Sequence, residues 1–174
     1  YEIKGFIKDG KLDFFNKDRI ENINLLFTIK DKKYFLEDIE GKFNQIKLSS
    51  PVIEINEKNN QFLINGKLGS SETNNNLKLL NKLFGQNLKS FNIKNINFSS
   101  DNEFDFILSK KLKIKDFNLK SIINLQNLDY KNNSSDLKRY LPSLKDLIKL
   151  KKHTIIINYK KNQLDINGKG KIII

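Results

Sequence analysis

Residues 117–126 read Phe-Asn-Leu-Lys-Ser-Ile-Ile-Asn-Leu-Gln, and this stretch decides the fold class. Its alternate positions are Phe117, Leu119, Ser121, Ile123 and Leu125. The residues between them are mostly polar, and successive side chains of a β-strand point to opposite faces of a sheet. This period of two therefore predicts a strand with one apolar face and one wet face.

The same alternation recurs along the chain. It places Ile23, Leu25, Phe27 and Ile29 in one row, and Phe104, Phe106 and Leu108 in another. Short polar segments that predict tight turns lie at Asp9-Gly10, 58–60, Asp101-Asn102 and Lys161-Asn162. Consecutive strands should therefore pair as antiparallel hairpins. The predicted fold is mainly β, an extended and twisted antiparallel meander that forms either a β-gutter or a half-open sandwich.

Two segments depart from the period of two. Apolar residues recur at helical spacing from Thr73 to Gln86 and again near 142–150, where Pro142 is tolerated in a first helical turn. We therefore expect one or two short amphipathic helices. The predicted organisation is a first set of β-hairpins over 1–70, a helical connection over 71–87, and a second set of hairpins over 88–174 that includes the short helix near 142–150.

The chain contains an internal repeat. Residues 53–67 align without gaps on residues 155–169, and the alignment matches Gln61 with Gln163 and Gly66 with Gly168. Repeats of this kind indicate a sheet that is extended by stacking similar hairpins, in which each unit buries its face only against its neighbours.

The chain is strongly basic, with 32 Lys and Arg against 20 Asp and Glu and a net charge of +12. Such a charge suggests an anionic partner such as nucleic acid. However, only Arg19 and Arg139 supply planar groups for phosphate or guanine, and Lys, Asn and Ile together are typical of AT-rich coding sequence. No nucleic-acid partner is expected, but this class stays open, and it would be revealed by lysines gathered on one surface instead of spread over every strand.

No constellation of residues indicates catalysis. His153 is the only histidine and there is no cysteine, which excludes imidazole clusters and thiolate sites. Asp101, Glu103 and Asp105 have the spacing that opens a calcium loop, but Phe106 stands where the turn glycine is needed. The sequence therefore predicts a protein that is not an enzyme and that has no metal and no cofactor.

A meander with one continuous apolar face has to shield that face from water. It can fold over as a sandwich with a dry core, close as a barrel, or curl lengthwise into a gutter whose interior holds acyl chains. A large exposed apolar surface normally marks a partner or a ligand. A structural or adhesive β-repeat with a filled interior and no ligand stays open as the alternative to a lipid-binding groove.

Two motifs carry a resemblance to a known family. Strands end in an apolar-x-Ile-x-Gly pattern, present as Phe62-Leu-Ile-Asn-Gly66 and Leu164-Asp-Ile-Asn-Gly168. The segment Arg139-Tyr-Leu-Pro142 precedes an apolar stretch and a return strand. With these motifs the chain resembles the AsmA-like proteins of Gram-negative envelopes, the group that includes TamB and YhdP.

The resemblance implies an internal segment of a long β-groove protein that carries phospholipid across the envelope and so serves outer-membrane lipid homeostasis and biogenesis. It also implies a periplasmic location, an inner-membrane anchor outside these residues, and membranes at the two ends of the full-length protein. Phospholipid acyl chains would be the partners, held by an apolar groove. The lipid-facing residues that follow from the resemblance would be Ile23, Leu25, Phe27, Ile29, Phe104, Phe106, Leu108, Phe117, Leu119, Ile123 and Leu125.

Overall fold

The structure, a computed structural model, describes residues 1–14, 18–44, 46–74, 93–131, 139 and 147–173. Within these ranges the chain forms one nine-stranded β-sheet whose strand order in space follows the order in sequence. The strands are β1 (Glu2–Phe14), β2 (Asp18–Lys30), β3 (Lys33–Phe43), β4 (Ile46–Lys58), β5 (Gln61–Asn74), β6 (Ile93–Ser109), β7 (Ile114–Lys131), β8 (Leu147–Lys160) and β9 (Gln163–Ile173). The prediction of a mainly β, antiparallel meander is confirmed.

The chain divides into two compact units. Unit 1 comprises residues 1–71, 100–122 and 156–166. Unit 2 comprises the described parts of 72–99, 123–155 and 167–174. Strands β1 to β4 belong to unit 1, whereas β5 to β9 contribute residues to both units.

Three hairpin turns have both central residues in the left-handed region of backbone space. The pairs are Asp31-Lys32, Asn59-Asn60 and Lys161-Asn162. Positive φ at both central positions is the geometry of a two-residue type I′ turn, whose twist matches the twist of the strands that it joins. The predicted turns at 58–60 and Lys161-Asn162 are confirmed. The sequence does not signal the turn at Asp31-Lys32, because lysine seldom adopts a positive φ.

Three neighbouring strands each contain an inserted residue at positive φ. These residues are Asp9 in β1 (φ 53°), Asn22 in β2 (φ 53°) and Asp38 in β3 (φ 50°), and the register shifts beside each of them. Asp and Asn tolerate the left-handed region better than other residues with a side chain. The prediction of a turn at Asp9-Gly10 is therefore wrong, because Asp9 is a bulge inside a continuous strand.

The bulges preserve the faces of the sheet. In a strand without a bulge, side chains alternate strictly between the two faces. An apolar sequence pattern that shifts by one residue would then continue on the opposite face of the sheet. In β3 the extra residue lies between Glu37 and Glu40, which pair with Leu26 and Asn24 of β2, so that β3 advances by three residues where β2 advances by two. The apolar rows on the two sides of each bulge thus stay on one face.

Neither predicted helix is seen in the described residues. Strand β5 runs through Thr73 to Asn74, and β8 begins at Leu147, within the segment that was expected to be helical. The rest of both segments, 75–86 and 142–146, lies outside the described residues. The start of β8 alternates between exposed and half-buried residues, which is the period of a strand. Strand pairing outweighs the helical spacing of a few leucines because helix propensity is a weak guide on its own.

The predicted turn at Asp101-Asn102 is also wrong, because both residues lie inside β6. An Asp-Asn pair signals a turn when its side chains bond to the local backbone. Here the Asn102 amide donates to the carbonyl oxygen of Leu68 in β5 at 2.8 Å. A hydrogen bond between strands has replaced the local one, so the backbone stays extended.

The internal repeat corresponds to two equivalent hairpins. Residues 53–67 run from β4 through the turn into β5, and residues 155–169 run from β8 into β9. A Cβ atom at Gly66 would lie 3.1 Å from Cζ of Phe104, whereas one at Gly168 would have nothing within 4 Å. The sheet order accounts for the Phe104 contact, since β5 has β6 beside it and β9 is the last strand of the described sheet.

Few described side chains are fully buried. In unit 1 the exposed fraction falls to 5% at Ile46, 2% at Ser50 and 5% at Ser121. In unit 2 it falls to 8% at Ile96 and 5% at Leu125. Because all the described strands belong to one sheet, most apolar side chains are only half-buried.

Candidate functional site

One face of the sheet in unit 1, which we call the apolar face, carries the apolar rows. Directly opposite residues of neighbouring strands point to the same face. The pairs Gly5 with Phe27, Phe27 with Leu36, Leu36 with Ile53, and Ile53 with Gly66 follow one another across the sheet. A single row on the apolar face therefore crosses from β1 to β5.

Aromatic rings continue the apolar face of unit 1 across β6 to β8. The ring of Phe104 lies over Gly66, where there is no side chain to obstruct it. The centroids of Phe104 and Phe106 are 6.1 Å apart, those of Phe106 and Phe117 are 6.2 Å apart, and those of Phe117 and Tyr159 are 5.9 Å apart. These separations are within the range of favourable ring contacts.

The opposite face of unit 1, which we call the charged face, carries the ionised groups. The Nζ atom of Lys67 lies 3.0 Å from Oε1 of Glu103, and Nδ2 of Asn118 donates to Oδ2 of Asp105 at 2.7 Å. The hydrogen bond from Lys67 lowers the pKa of the Glu103 carboxyl from its ordinary value. On the apolar face from β4 to β7 of unit 1, the only charged side chain is Glu57, beside the Asn59-Asn60 turn.

Apolar side chains on the two outer strands of unit 1 are widely exposed. The exposed fraction is 58% at Ile3 and 53% at Leu12 in β1, and 59% at Leu164 and 60% at Ile166 in β9. Burial of such surface is favourable by about 25 cal/mol per Å². Covering these side chains with another apolar group would therefore be favourable.

A line of five polar residues interrupts the apolar face of unit 1, and we call it the serine belt. It consists of Ser50 in β4, Ser70 in β5, Ser100 and Asn102 in β6, and Ser121 in β7. Apolar residues flank the belt within the same strands. In β4, for example, Leu48 precedes Ser50 and Ile53 follows it.

Hydrogen bonds join four members of the serine belt. Ser121 Oγ donates to Asn102 Oδ1 at 2.6 Å, and Asn102 Nδ2 donates to Ser100 Oγ at 3.1 Å. The hydroxyl oxygens of Ser70 and Ser100 are 2.9 Å apart, and the backbone N–H of Ser100 donates to Ser70 Oγ at 3.0 Å. The fifth member, Ser50, has a buried hydroxyl with no hydrogen-bond partner among the described residues.

The sequence-predicted lipid-facing residues fall into two groups. Nine of the residues given above, from Ile23 to Leu119, lie in unit 1, where their rows belong to the apolar face. Ile123 and Leu125 lie in unit 2, in the same alternate row of β7 as Ser121.

Sequence reasoning missed other residues of the apolar face. The apolar ones include Leu36, Ile53 and Tyr159, which register and ring contacts join to the predicted rows. Alternation within β4 and β8 could have found Ile53 and Tyr159. The serine belt left no signal of this kind, because serine and asparagine in a strand are also expected on its wet face.

Concave spaces are found on the charged face of unit 1. Two depressions of about 420 and 340 Å³ share the lining residues Lys67, Glu103 and Lys120. No group of three or more His, Cys, Asp or Glu that could hold a metal ion is found in the described ranges. In unit 2, the ring of His153 lies over Gly170, and its Nδ1 is 3.2 Å from the carbonyl oxygen of Lys151. These contacts are structural.

The described part of the chain contains no helix of the length and apolarity needed to cross a membrane. The chain was compared with protein-family models, curated proteins and solved structures. None of them matches it.

Proposed function

We propose that this chain binds phospholipid acyl chains on its apolar face, as a segment of a β-groove protein that carries lipid across the Gram-negative envelope. The observation that carries the proposal is the separation of charge from apolar surface in unit 1. Lys67, Glu103 and Asp105 lie on one face, whereas on the apolar face from β4 to β7 of unit 1 the only charged side chain is Glu57. A periplasmic location and a role in outer-membrane lipid homeostasis are parts of the same proposal.

The physical basis of binding is the hydrophobic effect. Each buried methylene contributes about 0.8 kcal/mol, and an apolar surface offers no directional contact that fixes a chain at one position. A lipid is therefore held in proportion to its buried length and is still free to slide. Sliding is what transport along a sheet requires.

The charged face has a separate role in this proposal. The net charge of +12 keeps the chain in solution while its apolar face is loaded or empty. Exposed ion pairs such as Lys67 with Glu103 contribute little to stability. They keep lysine and carboxylate side chains on the wet side of the sheet.

Native mass spectrometry of the chain expressed in a Gram-negative host tests the proposal. We expect co-purifying phospholipid with the wild-type chain and its loss in Phe106→Asp and in Leu119→Asp, because an unpaired carboxylate is costly in an acyl environment. Gln126→Asp is the matched control, since Gln126 is an exposed residue of the same strand as Leu119. Circular dichroism of each variant establishes that it folds.

The opposite result supports the second candidate, a structural or adhesive β-repeat with a dry core. A wild-type chain that carries no lipid, and that melts in one sharp transition, would have a filled interior in place of a binding face. The carboxylate variants would then lose stability while the amount of bound lipid stayed at zero throughout.

A further inference from the structure

The serine belt contains hydroxyl hydrogens that find no acceptor in the described part of the chain. Asn102 has both amide hydrogens engaged, one with Leu68 O and one with Ser100 Oγ, and its oxygen accepts from Ser121. Ser70 and Ser100 share one hydrogen bond between their hydroxyls, so one of these two hydroxyl hydrogens has no acceptor among the hydrogen bonds of the described residues.

The second unused donor belongs to Ser50. Its side-chain oxygen is buried, the residue is only 2% exposed, and no partner lies within hydrogen-bond distance among the described residues. Most buried hydroxyls have a partner, because an unmet one is destabilising. The serine belt thus presents two donors and calls for a ligand that supplies acceptors.

The charge around the serine belt restricts the acceptor to an uncharged group. A buried phosphate or carboxylate needs a paired cation, and the apolar face from β4 to β7 of unit 1 has no lysine or arginine. The nearby Lys67 lies on the charged face, where it pairs with Glu103. Ester carbonyl oxygens are acceptors without charge, and acyl lipids have them where the chains meet the glycerol.

We infer that the serine belt binds the ester carbonyls of an acyl lipid whose chains lie on the apolar rows beside it. This inference rests on the proposed function and adds a fixed point to it. The half-buried Ser70 and Ser100 pair receives one carbonyl, and Ser50, whose oxygen is covered in the lipid-free chain, receives the other when the side chains over it move aside. Lipids with ester-linked chains are therefore held more tightly at the serine belt, whereas the apolar rows on their own distinguish lipids only by chain length.

The test compares two soluble lipids with equal chains. Dioctanoylglycerol has two ester carbonyls, and its dialkyl ether counterpart has none. Each is titrated against the full chain loaded with an environment-sensitive fluorescent fatty alcohol, and because the chain has no tryptophan the probe is read without interference. We expect the diester to displace the probe at a lower concentration, by about fivefold for each hydroxyl that gains a carbonyl.

Two variants locate the preference. Ser50→Ala and Ser100→Ala should each lower the diester preference by about fivefold and leave displacement by the diether unchanged. Ser49→Ala is the matched control, because Ser49 is an exposed neighbour of Ser50. If an alanine variant fails to fold, the comparison of the two lipids on the wild-type chain still decides.

The outcomes separate this inference from the proposed function. Equal displacement by diester and diether on the wild-type chain overturns the role of the serine belt and leaves acyl binding intact. Displacement by neither lipid overturns both. A diester preference that persists undiminished in Ser50→Ala and Ser100→Ala also overturns the inference, because the carbonyls would then bind elsewhere.

Discussion

The internal repeat offers a sharp test of the sheet order, through Gly66→Ala compared with Gly168→Ala. Both glycines occupy the same position of the repeated hairpin. At Gly66 a new methyl group would lie 2.9 Å from Ile53 Cγ1, 3.1 Å from Phe104 Cζ and 3.2 Å from the backbone oxygen of Val52. At Gly168 it would meet nothing within 4 Å.

The two substitutions should have opposite signs. Replacing glycine by alanine at a compatible position stabilises a protein by about 0.4–1 kcal/mol through the unfolded chain. At Gly168 that gain stands alone. At Gly66 the overlap with Ile53, Phe104 and a carbonyl oxygen that cannot rotate away costs about 1–3 kcal/mol. The expected difference between the two variants is about 2 kcal/mol, or roughly 4–8 °C in melting temperature for a chain of this size.

Far-UV circular dichroism followed through thermal and urea unfolding measures both variants against the wild-type chain. Gly66→Ala should melt below the wild type and Gly168→Ala at or slightly above it. Equal stability of the two variants would refute the reasoning, because it would mean that the crowding found at Gly66 and the open space found at Gly168 are not real.

Two further predictions concern the bulges and the charged face. Asp38→Val should destabilise the chain by about 1–2 kcal/mol, since a β-branched residue resists the positive φ at that position. Asp38→Gly should be nearly neutral, because glycine adopts a positive φ without strain. Equal urea midpoints for the two variants would contradict the positive φ of Asp38 in the β3 bulge. Lys67→Gln should raise the pKa of Glu103 towards its ordinary value of 4.5, measured by NMR titration. Because folding lowers the pKa of Glu103, the ion pair stabilises the folded chain at pH values above 4.5, and this stabilisation is lost as the pH falls through the folded-state pKa. An unchanged titration of Glu103 in the variant would show that Lys67 is not the cause of the lowered pKa.

The candidate site could be predicted only in part from the sequence. The row from Phe117 to Leu125 and the row from Ile23 to Ile29 follow from alternation alone, because a strand has only two faces. Ser50 and Asn102 could not be recognised, since their role depends on which residues of other strands lie beside them. Asn102 in particular reads as part of a turn until Leu68 is known to lie across from it.

The amino-acid sequence by itself determined the class of the fold, the pairing of consecutive strands, the repeated hairpin and the separation of charged from apolar residues, because each of these depends on contacts between near neighbours in the chain. The tertiary structure decided where the alternation is interrupted by a bulge and not by a turn, as at Asp9 and Asp38. It also decided that the segments predicted to be helical are strand near Thr73 and Leu147. It also decided that Gly66 and Gly168, alike in sequence, differ in environment. The physical reason is that bulges, strand extension and packing over a glycine are set by the neighbouring strand, which local sequence does not specify.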